Sequence, residues 1–129
     1  MKNKGMIENM AFDLTGLVPG QSIDCVIIGF EDQKLKILVL KWNVNGNVWA
    51  LPGGLIFKGE DLDKAAIRSL QERTGIKLPF LEQFKTFGNV DRRNDNVMTK
   101  TIESLGASKK MIEWFEQRFI TTGYLSLVD

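Results

Sequence analysis

Two kinds of hydrophobic pattern alternate along the chain. Ser22 to Phe30 (SIDCVIIGF) is a β-branched run dense enough for a buried strand. Asp32-Gln33 marks a turn, and Leu35 to Trp42 follows as a second strand, with Lys34, Lys36 and Lys41 marking a wetter face or frayed ends. Asn43 to Asn47 is a turn-rich loop. Trp49-Ala50-Leu51 is strand-like until Pro52, which has no N–H to donate. Gly53-Gly54 then reads as a turn whose backbone can approach a ligand closely.

The period next changes from two to 3.6. Leu62, Ala66 and Leu70, with Ile67 beside them, form one apolar stripe of a helix. Asp61 or Asp63 suits its start as cap or first-turn anion, and Gly75 suits the left-handed position after its end. Leu81 to Gly88 and Phe119 to Val128 alternate as further strands. Between them runs a helical insertion at about 96–118, preceded by the polar loop Asp91 to Asn96. Ser108 can cap a helix there, with Met111, Ile112, Trp114 and Phe115 as its apolar edge. The insertion reads as packed cover for a sheet edge in preference to a lid or dimer surface. Residues 1–21 read as an N-terminal arm with room for a short helix, and residues 22–129 as the domain proper.

Composition narrows the chemistry. The chain has 129 residues, 43% apolar and 26% charged, as expected of one soluble globular domain. A net charge of +1 gives no electrostatic footprint for nucleic acid across the whole segment. The single cysteine, Cys25, leaves no disulfide framework and favours a reducing cytoplasm. Without histidine, imidazole bases, His metal sites and Ser-His triads are excluded together. No apolar run approaches transmembrane length, and the N-terminus does not read as a signal peptide.

The stretch Trp49 to Ile76 carries a motif. Five residues separate Gly54 from Glu60, and seven more precede Arg68; Leu70, Glu72, Gly75 and Ile76 then fall in register, after Leu51-Pro52-Gly53. This spacing resembles the Nudix box of the Nudix hydrolase family. The resemblance implies an α/β fold, the Nudix α/β/α sandwich, with a mixed sheet and a central box helix. It also implies that the fold continues with another strand and a C-terminal helix, so a chain stopping at Asp129 reads as truncated at the C-terminus. Three helix carboxylates are implied as ligands for Mg²⁺ or Mn²⁺, and Arg68 as a brace for Glu60 in a structural salt bridge.

The box is degenerate at two of those three ligands, where Ser69 and Arg73 stand in place of glutamates. Positions 69, 72 and 73 share one helix face, so a hard divalent cation would meet one carboxylate, one neutral hydroxyl and one fixed positive charge. Weak or no hydrolase activity is expected. Glu72 is the weak metal ligand that remains, and Glu72 and Glu60 are the catalytic candidates if the protein is active. Asp61 and Asp63 cap better than they coordinate. Arg73 could hold a phosphate by a bidentate contact; equally, it could be a solvated helix-face arginine paired with Glu72 or Ser69.

Phe80-Leu81-Glu82-Gln83, Thr86-Phe87-Gly88-Asn89 and Asp91-Arg92 look like the Nudix subset acting on ADP-ribose and like the Nudix-related transcriptional regulators of bacteria. The resemblance thus implies an effector-sensing domain that binds an ADP-ribose-like nucleotide or a sugar, a homodimer, with DNA contact left to another domain. Gly53, Gly54 and Arg73, beside Arg92 and Arg93, are its candidate ligand-binding residues. The alternative is a Mg²⁺-dependent pyrophosphohydrolase of ADP-ribose-like compounds, and a third reading is a purely structural dimerisation module.

Overall fold

A computed structural model of the protein describes residues 14–42, 48–77, 81–90 and 97–128. A single 3₁₀ turn, Leu14–Gly16, leads into strand β1, Leu17–Glu31. The strand therefore begins before Ser22, and residues 17–21, assigned to the arm by composition, belong to the sheet. Leu17 is buried there, so the apolar pattern continues through Pro19-Gly20, where Gly20 takes a φ of 70°.

β1 is the spine of a five-stranded mixed sheet ordered β2-β1-β7-β6, with β5 (Gly53–Phe57) also paired to β1. β2 (Lys34–Ile37) folds back antiparallel through Asp32 and Gln33, whose φ values of 54° and 61° are those of a tight primed turn. β7 (Ile120–Val128) runs parallel to β1, and β6 (Glu82–Phe87) antiparallel to β7. The segment 35–42 is not one strand. Leu38 still donates its N–H to the Ile27 carbonyl at 3.0 Å. The chain then leaves β1, and β3 (Leu40–Trp42) pairs with β4 (Val48–Ala50) in a separate two-stranded sheet. The loop 43–47 joining them lies outside the described residues, as do residues 1–13, Phe80, Asp129 and the segment 91–96 that contains Arg92 and Arg93.

Helix α1, Leu62–Thr74, packs on one face of the sheet. Ala65, Ala66 and Leu70 are fully buried against Ile23, Cys25, Ile27, Ile56, Leu81 and Tyr124. The small alanines let the helix approach the strands closely, so the buried face includes Ala65 as well as the predicted stripe. Gly75 ends the helix in the left-handed conformation (φ 77°) and donates its N–H to the Gln71 carbonyl at 2.8 Å, as a C-terminal glycine should. Asp61 occupies the N-cap, but its side chain makes no capping bond.

Strand alternation sends Leu55 to the side opposite Ile56. There it joins a second core built by the insertion. This core holds helix α2 (Val97–Ser104), which the hydrophobic pattern did not reveal, and helix α3 (Lys109–Glu116). Ser108 caps α3, accepting the Met111 N–H at 3.2 Å. Ile102, Met111 and Phe115 are buried with Leu14, Leu55 and Phe119 against them. Helices thus lie on both faces of the sheet. The insertion packs on the second face.

Candidate functional site

The site grows from the β5–α1 connection. After Phe57 the chain turns through Gly59 at a φ of 86°, and the Glu60 N–H returns to the Phe57 carbonyl at 3.0 Å. Glu60 is thereby delivered beneath the loop, where Oε1 accepts the Phe57 N–H at 3.1 Å. Arg68, on the second turn of α1, meets it with both arms of its fork: Nε to Oε2 at 2.6 Å and Nη2 to Oε1 at 2.9 Å. Nη2 also donates to the Leu55 carbonyl at 2.8 Å, Nη1 to Glu72 Oε2 at 3.1 Å, and the guanidinium lies 4.2 Å from the Phe57 ring centre. One arginine therefore ties strand, loop and helix together. Its hydrogen bond holds the Glu60 carboxyl below its ordinary value; burial opposes this and the Phe57 N–H assists.

The three helix positions where the resemblance implies metal ligands point elsewhere. Ser69 is 1% exposed, and its Oγ has no hydrogen-bond partner. It lies directly under Gly54, where an added Cβ would stand 2.5 Å from Ser69 Oγ and 3.0 Å from Ser69 Cβ. Glu72 is held by Arg68. Arg73 is half-buried, with Nε donating to the Gly53 carbonyl at 3.0 Å. It is therefore only partly solvated, and it is not hydrogen-bonded to Glu72 or Ser69. Burial presses its guanidinium below its ordinary value, against the pull of the Glu72 charge.

Gly53 and Gly54 differ from their predicted conformation. They are not a turn but the first residues of β5, registered opposite Asp24 and Ile23 of β1. They do permit close approach, but the approaching groups belong to the protein. A Cβ on Gly53 would collide with the Ile23 carbonyl, and one on Gly54 with Ser69. Asp63 is the first-turn acid of α1, as expected, and has a second role. It accepts the hydroxyl of fully buried Tyr124 at 2.5 Å, while Gln83 Nε2 donates to the same hydroxyl at 3.2 Å. Burial, then Asp63, pushes the Tyr124 phenol up to about 12. Sequence reasoning missed Tyr124, because its partners lie 61 and 41 residues away and no spacing rule links them.

Beside this clamp, and sharing Arg68 and Glu72 with it, Lys64, Ile67 and Gln71 line a shallow groove along α1. A divalent cation does not fit the helix face. It would face an occluded serine hydroxyl, a carboxylate already paired with Arg68, and the Arg73 cation fastened to the carbonyl of Gly53. Among the described residues, no group of three or more acids or cysteines is placed to hold a metal. Nor is any described helix long and apolar enough to cross a membrane.

The mixed sheet, the helices on its two faces and the Glu60–Arg68 clamp define an α/β sandwich organised around a box helix. The chain matches the model of the NUDIX domain over residues 18–118, and it belongs to that family. It is 36% identical over 78 residues to the ADPR responsive transcriptional repressor NtrR of Acinetobacter baylyi, covering 57% of this chain and 31% of that protein. It is 27% identical over 84 residues to Nudix hydrolase 6 of Arabidopsis thaliana, covering 60% and 30%. The chain thus spans less than a third of either relative. Its fold is similar to that of the NUDIX domain of Shewanella oneidensis NrtR solved with ADP ribose. That likeness has a TM-score of 0.60 at 23% identity and covers 91% of this chain and 65% of that one.

Proposed function

We propose that this chain is an effector-sensing Nudix domain that binds an ADP-ribose-like nucleotide or sugar in a reducing cytoplasm, as part of a bacterial transcriptional regulator, with little or no hydrolase activity. The observation that carries the reading is the closed helix face. Hydrolysis of a diphosphate needs its developing charge neutralised by bound metal. Here the place of one implied ligand is occluded by Gly54, and the place of another carries Arg73 on the Gly53 carbonyl. The clamp that shapes the loop is nonetheless complete, with Glu60 and Arg68 joined at 2.6 and 2.9 Å. Loss of the cation chemistry with retention of the scaffold is what a binding module requires. The likeness to the ADPR responsive repressor supports the ligand class and the regulatory setting.

Incubation with ADP-ribose and Mg²⁺ or Mn²⁺ tests the reading. The expected result is a raised melting temperature without AMP release; a hundredfold excess over Kd corresponds to about 2.7 kcal/mol of stabilisation. Metal-dependent turnover abolished by Glu72→Gln would select the pyrophosphohydrolase instead.

A further inference from the structure

Arg73 has a fork with one end committed and, among the described residues, no hydrogen bond at the other. Nε is fixed on the Gly53 carbonyl at 3.0 Å. No carboxylate among the described residues lies within ion-pair distance of its guanidinium, whereas Arg68 one turn earlier has two. Its Nη nitrogens are not among the buried side-chain atoms left without a partner. The only buried side-chain nitrogens or oxygens without partners among the described residues are Ser69 Oγ and Thr99 Oγ1. Arg73 is therefore a half-buried cation whose neighbouring carboxylate, Glu72, is already paired with Arg68, and it is fastened at the Gly53-Gly54 strand start. Ser69 lies one turn back on the same helix face with an unused hydroxyl. Such a charge is costly to keep unless something anionic completes it.

We propose that Arg73 is a built-in cation for the diphosphate of the ligand, so that this protein binds nucleoside-diphosphate compounds without a divalent metal. The proposal rests on the nucleotide-sensing reading above and deepens it. A guanidinium presents two parallel N–H donors to phosphate oxygens and cannot be chelated away or diluted out. The bond from Nε to Gly53 removes much of the side-chain freedom that anion binding would otherwise have to freeze. Burial supports the same assignment, since a guanidinium shifted down by desolvation regains stability when an anion arrives.

Calorimetry on the full chain decides the matter, with ADP-ribose and inorganic pyrophosphate as probes, each in EDTA and in excess Mg²⁺. The expected result is a Kd for ADP-ribose that agrees within about twofold between EDTA and Mg²⁺, competition by pyrophosphate, and weakening of about 10- to 100-fold in Arg73→Gln. Arg73→Lys keeps the charge but loses the fork, and should fall between the two. Binding of ADP-ribose by the wild type only with Mg²⁺ would overturn the proposal while leaving the sensing role standing, and it needs no variant to fold. An Arg73→Gln protein that melts lower yet binds unchanged would overturn it too, reducing Arg73 to a brace for β5. Metal-independent binding of pyrophosphate but not ADP-ribose would refute the nucleotide reading and uphold the cation. Binding of neither probe would remove both.

Discussion

Replacing Arg68 with alanine tests the clamp at its centre. The substitution removes both bonds to Glu60, the bond to the Leu55 carbonyl and the bond to Glu72. The Arg68 and Glu60 side chains are 24% and 17% exposed, so the pair is neither a surface ion pair nor fully dry. Exposed pairs contribute about 0–1 kcal/mol, and breaking a buried one costs about 3–5 kcal/mol. Glu60 keeps only the Phe57 N–H, and the Leu55 carbonyl loses its donor. We therefore expect a loss of about 3 kcal/mol. With an unfolding entropy of about 2.1 cal/mol/K per residue, this corresponds to a fall in Tm of about 10 °C for a chain of this length.

The effect has a pH signature. The folded carboxyl of Glu60 titrates below its unfolded value of 4.5, so the stability it supplies is fully present above that value and is lost as pH falls through the folded pKa. Urea unfolding of wild type and Arg68→Ala from pH 7 downward should show a constant difference above about pH 5 that narrows once Glu60 begins to protonate. A difference below about 1 kcal/mol at pH 7, or one that does not change on acidification, would refute the assignment of the clamp to that ion pair.

Two further outcomes follow from the same geometry. Gly54→Ala should destabilise by about 1–3 kcal/mol because its Cβ overlaps Ser69; adding Ser69→Gly should recover part of the loss in a double-mutant cycle, and strict additivity would show that the contact is not the cause. Tyr124→Phe leaves Asp63 and Gln83 without the hydroxyl between them and should cost about 1–2 kcal/mol in urea unfolding, with ADP-ribose affinity unchanged.

What could be read from the sequence was local. Gly75 ends α1 because the left-handed position after a helix favours glycine, and Ser108 caps α3 because its hydroxyl reaches an N–H three residues on. The spacing from Gly54 to Ile76 carried the fold through the strand–loop–helix unit, and the Arg68–Glu60 pair lies within that unit. What escaped depends on which elements meet. Two glycines after a proline look the same whether they expose backbone to a ligand or admit a neighbouring strand, and only the register with Ile23 and Asp24 distinguishes the cases. A charged residue on a helix gives no sign that its nitrogen will land on a carbonyl 20 residues earlier, as Arg73 does on Gly53. Asp63 looked like a first-turn anion, and its phenol partner arrives from β7.

The parallel pairing of β1 with β7 also sets an order of events. Gln21 through Gly29 find their partners at Ile120 through Val128, and the Ser22–Thr121 hydroxyl pair spans 99 residues. Closing a loop of that size costs about 2 kcal/mol more than closing one of ten residues. At about 5–20 residues per second, a ribosome that has finished β1 needs several seconds or more to deliver β7. For that interval the most β-branched segment of the nascent chain has one hydrogen-bonding edge open to any other extended strand. Yield from rapid expression should therefore depend on chaperone supply more than on the equilibrium stability of the finished domain.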